Sequence, residues 1–551
     1  MNKTVFTSFI ILRLLSTALL MGLALNTQIV KASGNIYIRP DGSIDPSTAP
    51  ISSFDNVTYT FTDNITDSIV VERNNIRVDG AGCTLQGTGI GIGIYLSERR
   101  NVTIKNLQIR TFAQGIRLAN SSSNIICGNN ITNNTDYGIY VSYSSNNTLT
   151  NNNVTNNRNG GSYWINNDCG IRLYESSNNN IFGNNITNNY RGLRLISSSD
   201  NNIHLNHVEN NDFEGVVLST STNNSLSGNV MNGNKYNLVV LVYELSHYMH
   251  SIDVSNLVCE KPVYYLVNQT NLVITPETYP RVGYLALVNC ANVTVEDLTL
   301  MNNGQGLILA NTTNSRITHN NITNNMCGIR LHLSFNNTLS KNNITNHRLG
   351  AGCGILLLQT SNTLISENNI TNNSDGILLC ASSSNNIISE NDITNNWDGI
   401  ILLSDPSSNT LIGNHITSSF RGIMLNGPGK NNTFSGNTIT GNDNAVWAIH
   451  TSNNTFSENN IIENRRGFYL KSQCRCNILH RNNITKGTGI WLSDRSNYNT
   501  IYENNMNSSH VQLNDSLNNT IYRNNMMKCG VSLIGSSSNN ICENSMVAIA
   551  L

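Results

Sequence analysis

Short alternating apolar runs recur along most of the chain, each separated from the next by a cluster of Ser and Asn. The stretch beginning at Gly115, GIRLANSSSNIICGNNITNN, shows the unit: GIxL, then NxI, then NxIT. Alternation over three or four residues predicts a brief half-buried strand, and the polar clusters between runs predict tight turns. Aligned on the GIxL start, the unit recurs at Gly93, Gly115, Gly138, Gly170, Gly192 and Gly215, then at Gly306, Gly328, Gly354, Gly376, Gly399, Gly422, Gly467, Gly489 and Gly530. The common step of about 22 to 23 residues is a stacked-repeat period. Three strands per period make one coil, so the predicted fold is all-β: a right-handed parallel β-helix of about 20 coils. Ile116, Ile139, Ile171 and Leu193 should then form one interior file while Arg117 faces water. With roughly 20 coils at about 4.8 Å each, the rod would be near 95 Å long.

Composition agrees with the period. About 100 residues are Asn, roughly one in five or six, far above ordinary usage. Asn tolerates the left-handed backbone of turns, and in register its side chain can stack into amide ladders.

Taken in order, residues 1–32 carry Lys3 and Arg13 around apolar runs and end in small residues at Val30-Lys31-Ala32, which predicts a secretory signal. Arg13 interrupts the apolar stretch and leaves it short for a membrane span, and no later segment is long enough for one. Residues 33–75 lack the repeat and are read as an N-terminal cap over an otherwise unpaired sheet edge. The first half of the β-helix runs over 76–237. Residues 238–290 lose the Asn density and gain tyrosines, predicting irregular coils with a protruding loop, and the ladder resumes over 291–551. Lys+Arg 33 against Asp+Glu 34 leaves no basic footprint, which excludes nucleic acid as a partner. Twelve cysteines in an exported chain permit disulfides, and Cys327 with Cys353, in one column of successive coils, is the preferred bridge. Cys474 and Cys476 form a CxC without a second pair, which argues for burial over zinc.

Candidate chemistry lies in the outward columns. In the front half Arg117, Tyr140, Arg172 and Arg194 stack one coil apart beside a loop bearing Tyr163 and Trp164. Guanidinium forks can hold uronate carboxylates and aromatic faces can lie under sugar rings, although a solvated Arg face would look the same. In the back half the same column reads Leu356, Leu378, Ile401, Met424, Trp447, Tyr469 and Trp491, an apolar stripe that predicts a partner, self-association, or cover by the chain's own loops. Asp375 and Asp398 precede the strand Gly on successive coils, with Arg421 one coil further. Carboxylates so spaced can work as an acid pair or hold calcium, but the column also carries Cys353 and Arg466, as a tolerant turn position would. Sequons are abundant, among them Asn130, Asn185, Asn321, Asn343, Asn369 and Asn483, where glycosylation is expected if the side chain faces out.

The opening IYIRPDGSIDPSTAPI, the DGAGCTLQGTG and NVTIKNLQI coils, and SHYMHSIDVSNLVCEKPVYYLVNQ followed by NNGQGLILA resemble the secreted right-handed β-helix proteins of archaea. Those proteins are grouped with NosD, the periplasmic copper-binding-protein family, and with the carbohydrate-binding and sugar-hydrolysis repeat class. The resemblance implies the fold. It leaves function open, because such coils carry pectin-degrading enzymes, adhesins, surface coats and a copper-site accessory factor. The copper label points to His247, Met249 and His250, soft donors within one segment. The reading is a secreted or cell-surface protein that binds glycans and requires no cofactor. The alternatives are a polysaccharide lyase or hydrolase and a copper-handling accessory protein.

Overall fold

The computed structural model describes residues 34–158, 168–348 and 352–547, all of it β-strand and turn apart from one short 3-10 turn, Leu245–Tyr248. Each period folds into three strands that pair in parallel with their equivalents one coil away. Ile116 pairs with Ile139, Ile139 with Ile171 and Ile171 with Leu193, and all four are fully buried in one interior file. The glycine that opens each first-sheet strand is there for space. A Cβ on Gly115 would lie 2.6 Å from the Gly138 carbonyl oxygen and 2.7 Å from Ile131. At the N-terminal end, Asn35–Ile38 pairs antiparallel with Ile44–Asp45 and parallel with Ser68–Val71, and Ile51–Ser52 pairs antiparallel with Thr58–Phe61.

Asparagine does two jobs on adjacent residues. The first Asn of a pair points inward at a corner of the coil. Asn184 Oδ1 accepts from the Asn152 N–H and Nδ2, both at 3.0 Å, while Asn184 Nδ2 donates to Leu149 O at 2.9 Å and to Asn206 Oδ1 at 2.9 Å. Repeated from Asn129 to Asn256, this amide ladder closes the backbone groups that a turn would otherwise leave buried and unpaired. The second Asn points out and makes a looser ladder, as where Asn185 Nδ2 donates to Asn153 Oδ1 at 2.8 Å.

Two histidines occupy inward Asn positions. His347 Nδ1 accepts from the Asn325 N–H at 3.0 Å, and His250 Nδ1 accepts from the Asn224 N–H at 3.3 Å. Burial drives both pKa values down to about 4, and that of His332 likewise. Because the folded values lie below the unfolded value near 6.5, the stability that neutral imidazole provides is whole above pH 6.5 and is lost as pH falls toward 4. The expected slope is roughly 1.4 kcal/mol per pH unit for each group. A melting series from pH 7 to 4.5 should show that decline, and His347→Asn, which restores the ladder residue, should flatten it by one histidine's share. An unchanged slope in the variant would remove His347 from the account.

The coils do not run as one continuous parallel stack. Coils stack from the N-terminus to Leu257–Val258, where a two-residue hairpin loop reverses the strand and Leu257–Val258 pairs antiparallel with Lys261–Val267. Cys259 and Glu260 both have positive φ, 48° and 61°, the backbone of a type I′ turn. From Lys261–Val267 a second stack begins, and the outward face of its first strands seals the end of the first. Tyr284, Ala286, Val288, Ile308 and Ala310 join the same apolar core as Leu238 and Val240. The exposed edge of Tyr236–Leu241 is met by Asn302 and Gly304 through backbone hydrogen bonds, and by the side chains of Asn303 and Gln305, which accept from Leu238 and Val240 N–H. The segment over 238–290 is therefore a joint between two stacks.

Candidate functional site

The joint changes the front face. Along the first sheet the outward column runs Tyr95, Arg117, Tyr140, Arg172, Arg194, in direct register. The next two positions, Val217 and Val239, are fully buried because Phe213, Tyr236 and Met326 pack over them and Gly304 presses on Val239. The column is thus the floor of a corner, and the second stack is its end wall.

On that floor cations and rings alternate. The Arg117 guanidinium lies 5.8 Å from the Tyr95 ring and 5.4 Å from the Tyr140 ring, and Arg172 lies 5.5 Å from Tyr140 and 5.4 Å from Tyr137. Tyr190 and Phe213, stacked at 5.9 Å, flank the far end. Arg172 is only 6% exposed and donates Nη1 to Tyr137 Oη at 2.6 Å. Arg117 and Arg194 have no hydrogen-bond partner among the described residues, and the Nε atoms of all three arginines are buried and unpaired. Glu214, a carboxylate close to Arg194, is already held by Arg191 at 2.6 Å. Burial, with Arg191 and Arg172 nearby, pushes the Arg194 pKa down to about 10. An anion seated there would relieve this crowding of desolvated charge. Trp164 and Tyr163 lie outside the described residues.

The back-half stripe is not the bare patch its composition suggests. Leu356, Leu378, Met424, Trp447 and Trp491 are half-buried, and Ile401 and Tyr469 are buried. In-register neighbours one strand spacing away cover one another's flanks, as in the Tyr469–Trp491 stack at 4.6 Å. Two exposed rings beside the stripe are Trp397 and Phe420, 61% and 40% exposed and stacked at 4.9 Å, two residues before the strand glycine. The signal for them, an aromatic in the same slot as Tyr190 and Phe213, is legible in the alignment of repeats.

Asp375 and Asp398 do occupy directly paired positions. They do not form a free acid pair, because Asp398 is 2% exposed and both its oxygens are bound by the Arg421 guanidinium at 2.5 and 2.6 Å. Burial raises the Asp398 pKa against the pull of Arg421. That is the geometry of a structural ion pair.

The copper-type donors sit in different surroundings. His247 Nδ1 faces the Tyr243 and Glu244 N–H groups, Met249 Sδ lies 3.8 Å from the Asn289 amide, and His250 is buried at the end of the Asn ladder. No group of three His, Cys, Asp or Glu side chains able to hold a metal occurs among the described residues. Of the sequons, Asn185, Asn321, Asn343 and Asn369 are exposed on the outward ladder and Asn130 and Asn483 are half-buried on it.

A family model described as "Right handed beta helix region" matches residues 36–167 and 92–249. The model of the periplasmic copper-binding protein NosD matches residues 214–362, 248–446, 354–519 and 428–548, more than half of the chain. The chain belongs to the NosD family. Within 247–250, His250 is committed to the ladder, while His247 and Met249 are half-buried. No curated protein matches the sequence. Among solved structures, a double mutant of the periplasmic alginate epimerase AlgG is similar at 11% identity and TM-score 0.27, over 84% of this chain and 79% of that one. The Dettilon tailspike protein is similar at 13% and 0.28 over 76% and 63%, and the Agl-KA catalytic domain at 13% and 0.29 over 65% and 62%. At such scores the likeness says nothing of what this NosD-family chain binds. No helix among the described residues is long and apolar enough to cross a membrane.

Proposed function

We propose that this protein is exported and binds an acidic polysaccharide in the corner floored by Arg117, Tyr140, Arg172 and Arg194. One observation carries the reading: three guanidiniums stand in one column, their Nε atoms buried and without a hydrogen-bond partner among the described residues, beside the packed cluster of Val217, Tyr236 and Val239. Unpaired buried charge is costly to a fold and persists where a ligand uses it. Uronate carboxylates, repeating along a chain, suit guanidiniums repeating along a coil stack, and the interleaved tyrosines offer faces to the sugar rings. Asp398, one acid of the candidate catalytic pair, is committed to Arg421, which removes that pair as support for turnover. Export is supported by the apolar leader after Lys3, and the outward sequon column is open to glycans of the protein's own.

The test is a titration of the purified chain with polygalacturonate and with its carboxyl-reduced form. The charged polymer should bind, more weakly as salt is raised, and the reduced polymer should not. Arg172→Ala with Arg194→Ala should lower affinity at least tenfold. Equal binding of the two polymers, or a double variant that binds like wild type, would end the proposal.

A further inference from the structure

Cys327 and Cys353 open equivalent strands, Cys327–His332 and Cys353–Leu358, and face each other directly in the parallel register. Their Sγ atoms are 2.8 Å apart, and both residues are buried, 6% and 1% exposed. Strand spacing places paired Cα atoms within the range that a disulfide spans, and the sulfurs have less than about 1 Å to travel to the ~2.05 Å bond. Cys169, Cys290, Cys380 and Cys474 are also buried, but no other sulfur pair is in contact among the described residues. On the same strand as Cys327, Arg330 donates to the Val242 carbonyl at 3.2 Å, so the pair lies in the coils on which the joint between the two stacks lands.

We propose that Cys327 and Cys353 form a disulfide that staples two successive coils of the second stack beneath that joint. The bond is made by exchange with an external disulfide such as oxidised glutathione, as the coils assemble and before both sulfurs are enclosed. One cysteine thiolate attacks the external disulfide and releases a thiol. The second then attacks the mixed disulfide, forming the Cys327–Cys353 bond and releasing the second thiol. Two protein thiols and one disulfide become one protein disulfide and two small thiols, with two electrons passed to the oxidant. The bond encloses a segment 26 residues in span and withdraws that freedom from the unfolded chain.

The experiment refolds the full chain in a mixture of oxidised and reduced glutathione, alkylates it with N-ethylmaleimide under denaturing conditions, and maps the digest by mass. The peptides carrying Cys327 and Cys353 should appear joined and two hydrogens lighter, and the remaining cysteines alkylated. Adding reductant should lower the wild-type Tm by several degrees and leave that of a Cys327→Ser, Cys353→Ser double variant unchanged. Full alkylation of both residues in the oxidised sample, a bond from either to a different cysteine, or a wild-type Tm indifferent to reductant would overturn it.

Discussion

Asn184→Ala should destabilise the first stack by about 3–5 kcal/mol, whereas Asn185→Ala, one residue on, should change stability by less than about 0.5 kcal/mol. The two side chains are chemically identical and differ only in direction. Asn184 is fully buried, and its amide engages the Asn152 N–H, the Asn152 amide, two carbonyls and Asn206. Truncation strands the Asn152 N–H and leaves the Asn152 amide, the Leu149 carbonyl and Asn206 Oδ1 each one partner short in a dry corner, where an orphan costs about 1–3 kcal/mol and each lost bond about 1 kcal/mol. Asn185 is exposed, so water replaces its bond to Asn153. A coil stack is coupled mainly to nearest neighbours, and the damage should show first as faster hydrogen exchange at Asn152 and Asn206 and fade along the stack. Equal effects from the two substitutions, by urea unfolding and by exchange, would dismiss the inward amide ladder as the bond that holds coils together.

The same contrast shows what was legible in the chain beforehand. Period-two alternation is enough to put Ile116, Ile139, Ile171 and Leu193 into one file, because a parallel stack cannot place them elsewhere without exposing every coil. Turn placement followed from Asn, and many turn asparagines do hold positive φ, among them Asn133, Asn156 and Asn188. The reversal at Cys259-Glu260 was not legible. A type I′ turn is announced by Asn-Gly or its relatives, and here Cys and Glu take that backbone because the apolar face of the second stack, not the local sequence, decides where the chain turns. Without the joint, the arginine column reads as one side of a straight rod, and no local sequence signal marks its end wall. His250 misled for a related reason: beside His247 it resembles a donor pair, whereas aligned on the repeat it stands where Asn224 stands one coil earlier, and it does an asparagine's work. The aromatic stripe overstated its exposure because composition gives the direction of a side chain and not the shelter its stacked neighbours provide.

Arg194→Met should move stability and binding in opposite directions. In the folded chain the Arg194 pKa is about 10, pressed below the ordinary 12.5 first by burial and then by Arg191 and Arg172. A base whose folded value is lowered is one the fold resists charging. Near neutral pH it is charged in both states, so the folded protein bears the whole penalty, which eases only as pH rises through 10. Methionine keeps the unbranched stem that packs the floor and discards the charge, and with it the cost of holding an unneutralised guanidinium in a partly desolvated site. The variant should therefore melt higher than wild type while its affinity for polygalacturonate falls tenfold or more, the loss expected when one partner of a desolvated charge pair is removed. A structural arginine behaves otherwise. Arg421, bonded twice to Asp398, should lower stability when replaced by Met and leave polygalacturonate affinity unchanged. If Arg194→Met melts lower and binds as before, Arg194 is a structural residue like Arg421, and the corner loses its claim to an anionic ligand.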